Sequence, residues 1–141
     1  MKVQYKRLHP NAKVPTKATP DSAACDLYSM ENAYIPHGET VKIRTGLALQ
    51  IPDGWKGEIY SRSGLASQGI VVMNSPGKID SDYRGEIMVL LHNTRKELVA
   101  IEKGDRIAQF EVNPVYEIDW VNDWSEDTTR RGEGGFGSTG S

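Results

Sequence analysis

Five short stretches of this chain carry side chains able to do chemistry. The longest is Asn74-Ser75-Pro76-Gly77-Lys78-Ile79-Asp80-Ser81-Asp82-Tyr83-Arg84-Gly85-Glu86. Its tip gathers an amide, two carboxylates and a phenol. A carboxylate within hydrogen-bond reach of a water can act on it as general base. The segment has the shape of a hairpin, with a strand at 70–73 entering and one at 86–91 leaving, and on its own it also reads as an ordinary, solvated acidic hairpin. Ser61-Arg62-Ser63-Gly64-Leu65 puts a guanidinium, a hydroxyl and a glycine in succession. The guanidinium forks onto phosphate oxygens. The hydroxyl and backbone N–H groups donate beside it, and glycine permits close approach. A surface turn with an incidental arginine explains the same letters. Ala23-Ala24-Cys25-Asp26-Leu27 sets an aspartate in an apolar run. Such a carboxylate must be exposed, paired or near a cation, since a lone buried one is costly; a turn-capping role is equally open. Gly104-Asp105-Arg106-Ile107-Ala108-Gln109 is a turn into a strand, readable as no more than a surface ion pair. The fifth stretch is RGEGGFGSTG at residues 131–140. It carries one arginine and one aromatic ring among glycines, and by composition it reads first as a flexible coil.

Other chemistries are missing from the sequence. There is no GxxxxGK[ST] phosphate loop. His9, His37 and His92 have no metal-ligand spacing with one another or with Cys25. No G-x-S-x-G elbow occurs, and Ser63 has no evident histidine partner. The net charge of -2 and the lack of basic patches with interleaved aromatics argue against nucleic acid as a direct partner. A single cysteine excludes an intramolecular disulfide framework and fits a reducing compartment. No apolar run reaches membrane-spanning length, and MKVQYKRLHP has no signal-peptide h-region. A cytoplasmic protein with no membrane partner is therefore expected (in a host cell, were the source viral).

The elements that must position these residues have a period of two. In residues 40–51, Val41, Ile43, Leu47, Leu49 and Ile51 share one face and Lys42, Arg44 and Gln50 the other. That is a half-buried antiparallel strand. Val3 and Tyr5 alternate with polar neighbours, and residues 70–73, 86–92, 97–101 and 106–112 read as further strands. Turn signals separate them: Pro36-His37-Gly38, Pro52-Asp53-Gly54, Ser75-Pro76-Gly77 and Lys103-Gly104-Asp105. Residues 64–68 suit one short helical turn, and no long helix is expected. At 141 residues the length predicts one all-β domain, a barrel or two-sheet sandwich. Composition shifts after Trp124. Residues 1–124 are expected to form the core and residues 125–141 an arm leaving it.

In this order, the five stretches resemble the motifs of the trimeric dUTP pyrophosphatases (dUTPases): AACDL, SRSGLA, GKIDSDYRGE, GDRIAQ and RGEGGFGSTG. The resemblance covers nearly the whole chain. Ala24-Cys25 stands where the family often has Gly-Tyr, Ser61 where proline or alanine is common, and Lys78 where a small or apolar residue is usual. None of these replaces a residue carrying the family's chemistry.

The resemblance implies a jelly-roll-like β-barrel, a homotrimer with active sites shared between subunits, and hydrolysis of dUTP to dUMP and pyrophosphate with Mg²⁺. Such an enzyme limits uracil incorporation into DNA and supplies dUMP for thymidylate synthesis. It further implies that Asp80 activates the attacking water. Asp26 and Gln109 would act on Mg²⁺ through water, with Gln109 also on the phosphates. Arg62, Ser63 and Gly64 would cradle the α- and β-phosphates. Asn74 and the backbone of Gly77, Lys78, Ile79 and Asp80 would read uracil. Tyr83 would pack on the deoxyribose with Met88 beneath it. From the arm, Arg131 would reach the γ-phosphate, Phe136 would stack on the base, and Gly137 and Ser138 would help close the clamp. Asp82 and Arg84 are assigned to structure. Two other readings share the fold: a dCTP deaminase, alone or bifunctional, and a nucleotide-sensing interaction protein without turnover. The first needs a glutamate at the base, and Glu86 lies beyond Gly85. The second is disfavoured by an intact Asp80 and a complete fifth motif.

Overall fold

The computed structural model describes residues 1–140; Ser141, last residue of the expected arm, lies outside the described residues. Ten strands and one short helix follow in order: β1 (Gln4–Arg7), β2 (Cys25–Tyr28), β3 (Ala33–Ile35), β4 (Thr40–Gln50), β5 (Trp55–Tyr60), α1 (Ser63–Ala66), β6 (Ile70–Val72), β7 (Gly77–Ile79), β8 (Glu86–Asn93), β9 (Val99–Ile101) and β10 (Arg106–Pro114). Two four-stranded sheets, β1-β4-β8-β6 and β2-β10-β5-β7, face each other, and β3 pairs with β9 in a small third sheet. All strand pairs are antiparallel. From β4 to β8 the chain alternates between the two large sheets, giving the expected all-β, jelly-roll-like architecture.

The period of two explains the core. Ile43 and Leu49 from β4, with Ile51 just past its end, meet Leu27, Ile59, Ala108 and Phe110 from the other sheet, all buried. Each fully buried leucine or isoleucine contributes about 1.5–3 kcal/mol relative to exposure. The alternation in β4 is interrupted where its register against β8 shifts between Arg44 and Ala48. Gly46 sits there at φ 71°, and the buried Thr45 hydroxyl donates to the Ile87 carbonyl at 2.6 Å. The bulge thus leaves no polar side-chain atom of Thr45 stranded.

The structure corrects the expected course of the 70–91 segment. Strands β6 and β8 do pair, with Val72 opposite Leu91. The stretch between them is not a simple hairpin tip. Residues Gly77–Ile79 cross to the other sheet and pair with β5, Ile79 turned toward the core and Lys78 outward. Three further strands, β2, β3 and β5, were not evident from the sequence. In β5 the inward position between Lys56 and Glu58 is Gly57, which hides the apolar alternation. The expected strand at 97–101 shortens to Val99–Ile101. The last strand ends at Pro114, so residues 115–124 stand between it and the composition shift. They carry no strand or helix, and Tyr116, Ile118, Trp120 and Trp124 are exposed.

Candidate active site

Three groups of candidate residues emerge, each placed by a different part of the fold. The first lines a cavity of about 470 Å³ between β7 and the outer face of β8. Asn74, Lys78, Ile79, Asp80, Tyr83 and Met88 all border it. Strand β7 supplies Lys78 and Ile79, the turn after it supplies Asp80 and Tyr83, and Met88 points out from β8 by the strand's alternation. Gly77 lets Asn74 approach: a Cβ there would lie 3.2 Å from the Asn74 Nδ2. The Tyr83 ring rests on Gly85, and its hydroxyl donates to the Glu86 carbonyl at 2.9 Å. The geometry can seat a flat ring against backbone donors and acceptors, with a carboxylate at one end.

Sequence reasoning left Lys42, Glu86 and Leu90 out of this cavity, yet they border it. For Glu86 the signal was the neighbouring strand. Its carboxylate accepts from Arg44 Nε at 3.0 and 3.2 Å and from Arg44 Nη2 at 3.0 Å, and from the Gly46 N–H at 3.3 Å. The hydrogen bond and charge of Glu86 raise the Arg44 pKa above its ordinary value. A carboxylate so committed is a poor activator of water at the base.

The second group lies at the β5–α1 junction. Arg62 occupies the N-cap position of α1 in an extended conformation, while Ser63 and Gly64 are exposed. Arg62 Nε donates to Asp26 Oδ1 at 3.1 Å, and Arg106 Nη1 stands 3.7 Å from Asp26 Oδ2. Asp26 is only 4% exposed, so the pairing answers the question that its apolar surroundings raised. Gln109 sits opposite Asp26 in the β2–β10 register and opposite Tyr60 in the β10–β5 register. Arg62 and Arg106 border a separate cavity of about 270 Å³, which none of the residues lining the first cavity borders.

Among the described residues no group of three or more His, Cys, Asp or Glu side chains converges on a metal position. Asp26 and Gln109 offer hard oxygens side by side, but both Asp26 oxygens already face guanidinium groups. This donor set fits Mg²⁺ held largely by its own waters and by phosphates, not by a protein cage.

The third group is the arm. Arg131, Phe136, Gly137 and Ser138 are exposed, and among the described residues their hydrogen bonds stay within their own segment: Arg131 Nε donates to the Gly134 carbonyl at 2.8 Å, and the Ser138 N–H to the Gly135 carbonyl at 3.0 Å. Phe136 stands fully exposed at φ 51°. The structure brings Asn74, Lys78, Ile79, Asp80, Tyr83 and Met88 together, sets Arg62, Ser63, Gly64, Asp26 and Gln109 in a second place, and leaves Arg131, Phe136, Gly137 and Ser138 apart from both.

Comparison with known proteins is consistent across sequence and structure. The family described as dUTPase matches residues 10–140. A relative from Anaplasma marginale named deoxyuridine 5'-triphosphate nucleotidohydrolase is 50% identical, with 90% of this chain and 88% of that protein aligned. The dUTPase of Staphylococcus bacteriophage 80alpha, solved with dUpNHpp, superposes at a TM-score of 0.86, with 31% identity over 99% of both chains. A mutant dUTPase of phage phi11 of S. aureus, solved with a structural Mg(II) ion, superposes at 0.79, with 25% identity over 88% of this chain and 99% of that one.

Proposed function

The chain belongs to the dUTPase family, and from that membership we infer that it hydrolyses dUTP to dUMP and pyrophosphate. The observation that carries the residue-level reading is the single cavity joining Asp80 to Asn74, Ile79, Tyr83 and Met88. Asn74 and the backbone of 77–80 hydrogen-bond the uracil edge. A site of fixed donors and acceptors rejects bases that leave them unpaired, more strongly than an apolar slot can. Tyr83 packs on the deoxyribose, where a 2′-hydroxyl would collide, and Met88 lies beneath.

Asp80 accepts a proton from a water that attacks the α-phosphorus. The new P–O bond forms as the bond to the bridging oxygen breaks, and that oxygen leaves with pyrophosphate. The remaining stabilisation is electrostatic. Arg62, Ser63 and Gly64 bind the α- and β-phosphates. Asp26 and Gln109 would hold Mg²⁺ through water, and the ion would supply neutralisation of phosphate charge there.

The separation of the two cavities in one chain supports a site assembled between subunits of a homotrimer. The arm, residues 125–141, then closes over a nucleotide: Phe136 stacks on uracil, Arg131 meets the γ-phosphate, and Gly137 and Ser138 complete the clamp. Its glycines let it lie against phosphate oxygens and open for product release.

The test is pyrophosphate release from dUTP with Asp80→Asn as control. The parent protein should turn over dUTP, and the variant should lose about 10²–10⁴-fold. Absence of release by the parent refutes the reading. Ammonia from dCTP would reveal a deaminase, against the engaged state of Glu86. A light-scattering mass other than three chains would remove the shared site.

A further inference from the structure

Strand β7 presents the base-reading backbone, yet it is three residues long and lies at the edge of its sheet, held by β5 alone. So short an edge strand has few ladder bonds to fix its position. A second restraint crosses the pair. Lys78 lies directly opposite Glu58, and its ammonium donates to Glu58 Oε2 at 2.7 Å. The same carboxylate accepts from the Tyr60 hydroxyl at 2.8 Å and from Asn113 Nδ2 at 3.1 Å, with Lys56 Nζ at 3.7 Å. Asn113 also donates to Glu111, which faces Glu58 from β10. The Glu58 side chain is 8% exposed and Lys78 51% exposed, so the carboxylate is shielded from water while the ammonium closes it off from the solvent side. The hydrogen bonds of Lys78 and Tyr60 hold the Glu58 carboxyl down at about 2, and Glu58 in turn pushes Tyr60 up to about 12.

We propose that Glu58 is a positioning residue for base selection, clamping β7 to β5 through Lys78 so that the backbone of 77–80 stays in the one placement that reads uracil. The inference rests on the uracil-reading role given above to that backbone. Its physical basis is that recognition through fixed backbone groups tolerates displacements of about 0.5 Å. The Lys78 ammonium is committed to Glu58 and acts on the strand, not on the nucleotide. Tyr60 joins the clamp from the same face of β5, two residues before Arg62.

The experiment compares parent, Glu58→Gln, Lys78→Leu, the double variant and Lys78→Arg in the full-length protein. It measures kcat and KM for dUTP, relative kcat/KM for dTTP and dCTP, and inhibition by inorganic triphosphate, which has no base to read. Both single variants should raise the dUTP KM about tenfold, the weight of one well-placed charged hydrogen bond, with kcat nearly kept. Discrimination against dTTP and dCTP should fall, and triphosphate inhibition should hold. The double variant should match the singles, and Lys78→Arg should recover the parent values. A silent Glu58→Gln beside an impaired Lys78→Leu would mean that Lys78 touches substrate directly, and the proposal is wrong. A loss of triphosphate inhibition as large as the loss in dUTP binding would mean a general structural role, and it is again wrong. A parent protein inert toward dUTP would instead defeat the reading beneath it, and the two failures are told apart by that first measurement.

Discussion

Replacing Gly85 by alanine isolates the contribution of Tyr83 placement. A Cβ on Gly85 would lie 2.4 Å from the Tyr83 hydroxyl oxygen, 2.6 Å from Cζ and 2.9 Å from Cε1. Carbon atoms pack best at about 3.5–4.0 Å, so the ring must retreat by roughly 1 Å. It can do so, because Tyr83 is 43% exposed and borders an open cavity. The retreat breaks the 2.9 Å bond to the Glu86 carbonyl, a loss of about 0.5–1.5 kcal/mol. Gly85 does not occupy the left-handed region, so alanine recovers about 0.4–1 kcal/mol by restricting the unfolded chain. The two terms nearly cancel, and stability should change by less than about 1 kcal/mol. Turnover should not escape so lightly, since a misplacement of about 1 Å in a positioned group costs up to about 10²-fold. The assay is kcat/KM for dUTP and for UTP beside a thermal melt. The expected result is an unchanged melting temperature, a fall of about 10–100-fold for dUTP, and a narrowed dUTP-over-UTP preference. Parent-like discrimination in a folded Gly85→Ala protein would refute the placement of Tyr83 on the sugar. A large drop in melting temperature would refute the claim that the ring yields before the backbone.

Gly46→Ala should act on stability alone. Its Cβ would lie 2.5 Å from Met30 Sδ and 2.8 Å from Ala12 Cβ, at φ 71°, and the overpacking and the left-handed backbone together cost about 2–5 kcal/mol, readable in a urea titration. Deleting residues 132–141 should abolish most dUTP turnover and leave the melt unchanged, because residues 132–140 contribute no side chain to the buried core; full activity in the truncated protein would remove the clamp. Stability should also have two pH limbs. Glu58, depressed from 4.5 to about 2, contributes stability that is present above pH 4.5 and lost as pH falls toward 2, whereas Tyr60, raised from 10.0 to about 12, contributes stability that is present below pH 10 and lost as pH rises toward 12. Glu58→Gln should flatten both limbs in melts run across that range.

Some of this molecule was legible without coordinates because the determinants were local. The alternation of Val41, Ile43, Leu47 and Leu49 specifies which face of β4 is buried whatever packs against it. The turn residues mark where strands end, and a motif such as GKIDSDYRGE places its carboxylates and phenol on one short segment. What needed the tertiary structure was every pairing between segments distant in sequence. Residues 77–79 resemble the middle of a hairpin until β5 is seen to capture them, because one strand of a pair cannot name its partner. Strand β5 itself is masked by Gly57, whose lack of a side chain erases the period that burial would otherwise print. Asp26 declared only that it needed a partner; the β2–β10 register and the β5–α1 turn decided that the partners are Arg106 and Arg62. Glu86 and Glu58 looked like ordinary strand carboxylates, and cross-strand geometry alone set one against Arg44 and the other against Lys78 and Tyr60. Side-chain chemistry travels with the residue, whereas charge pairing, burial and access depend on which backbone lies 5 Å away, as the cross-strand spacing requires.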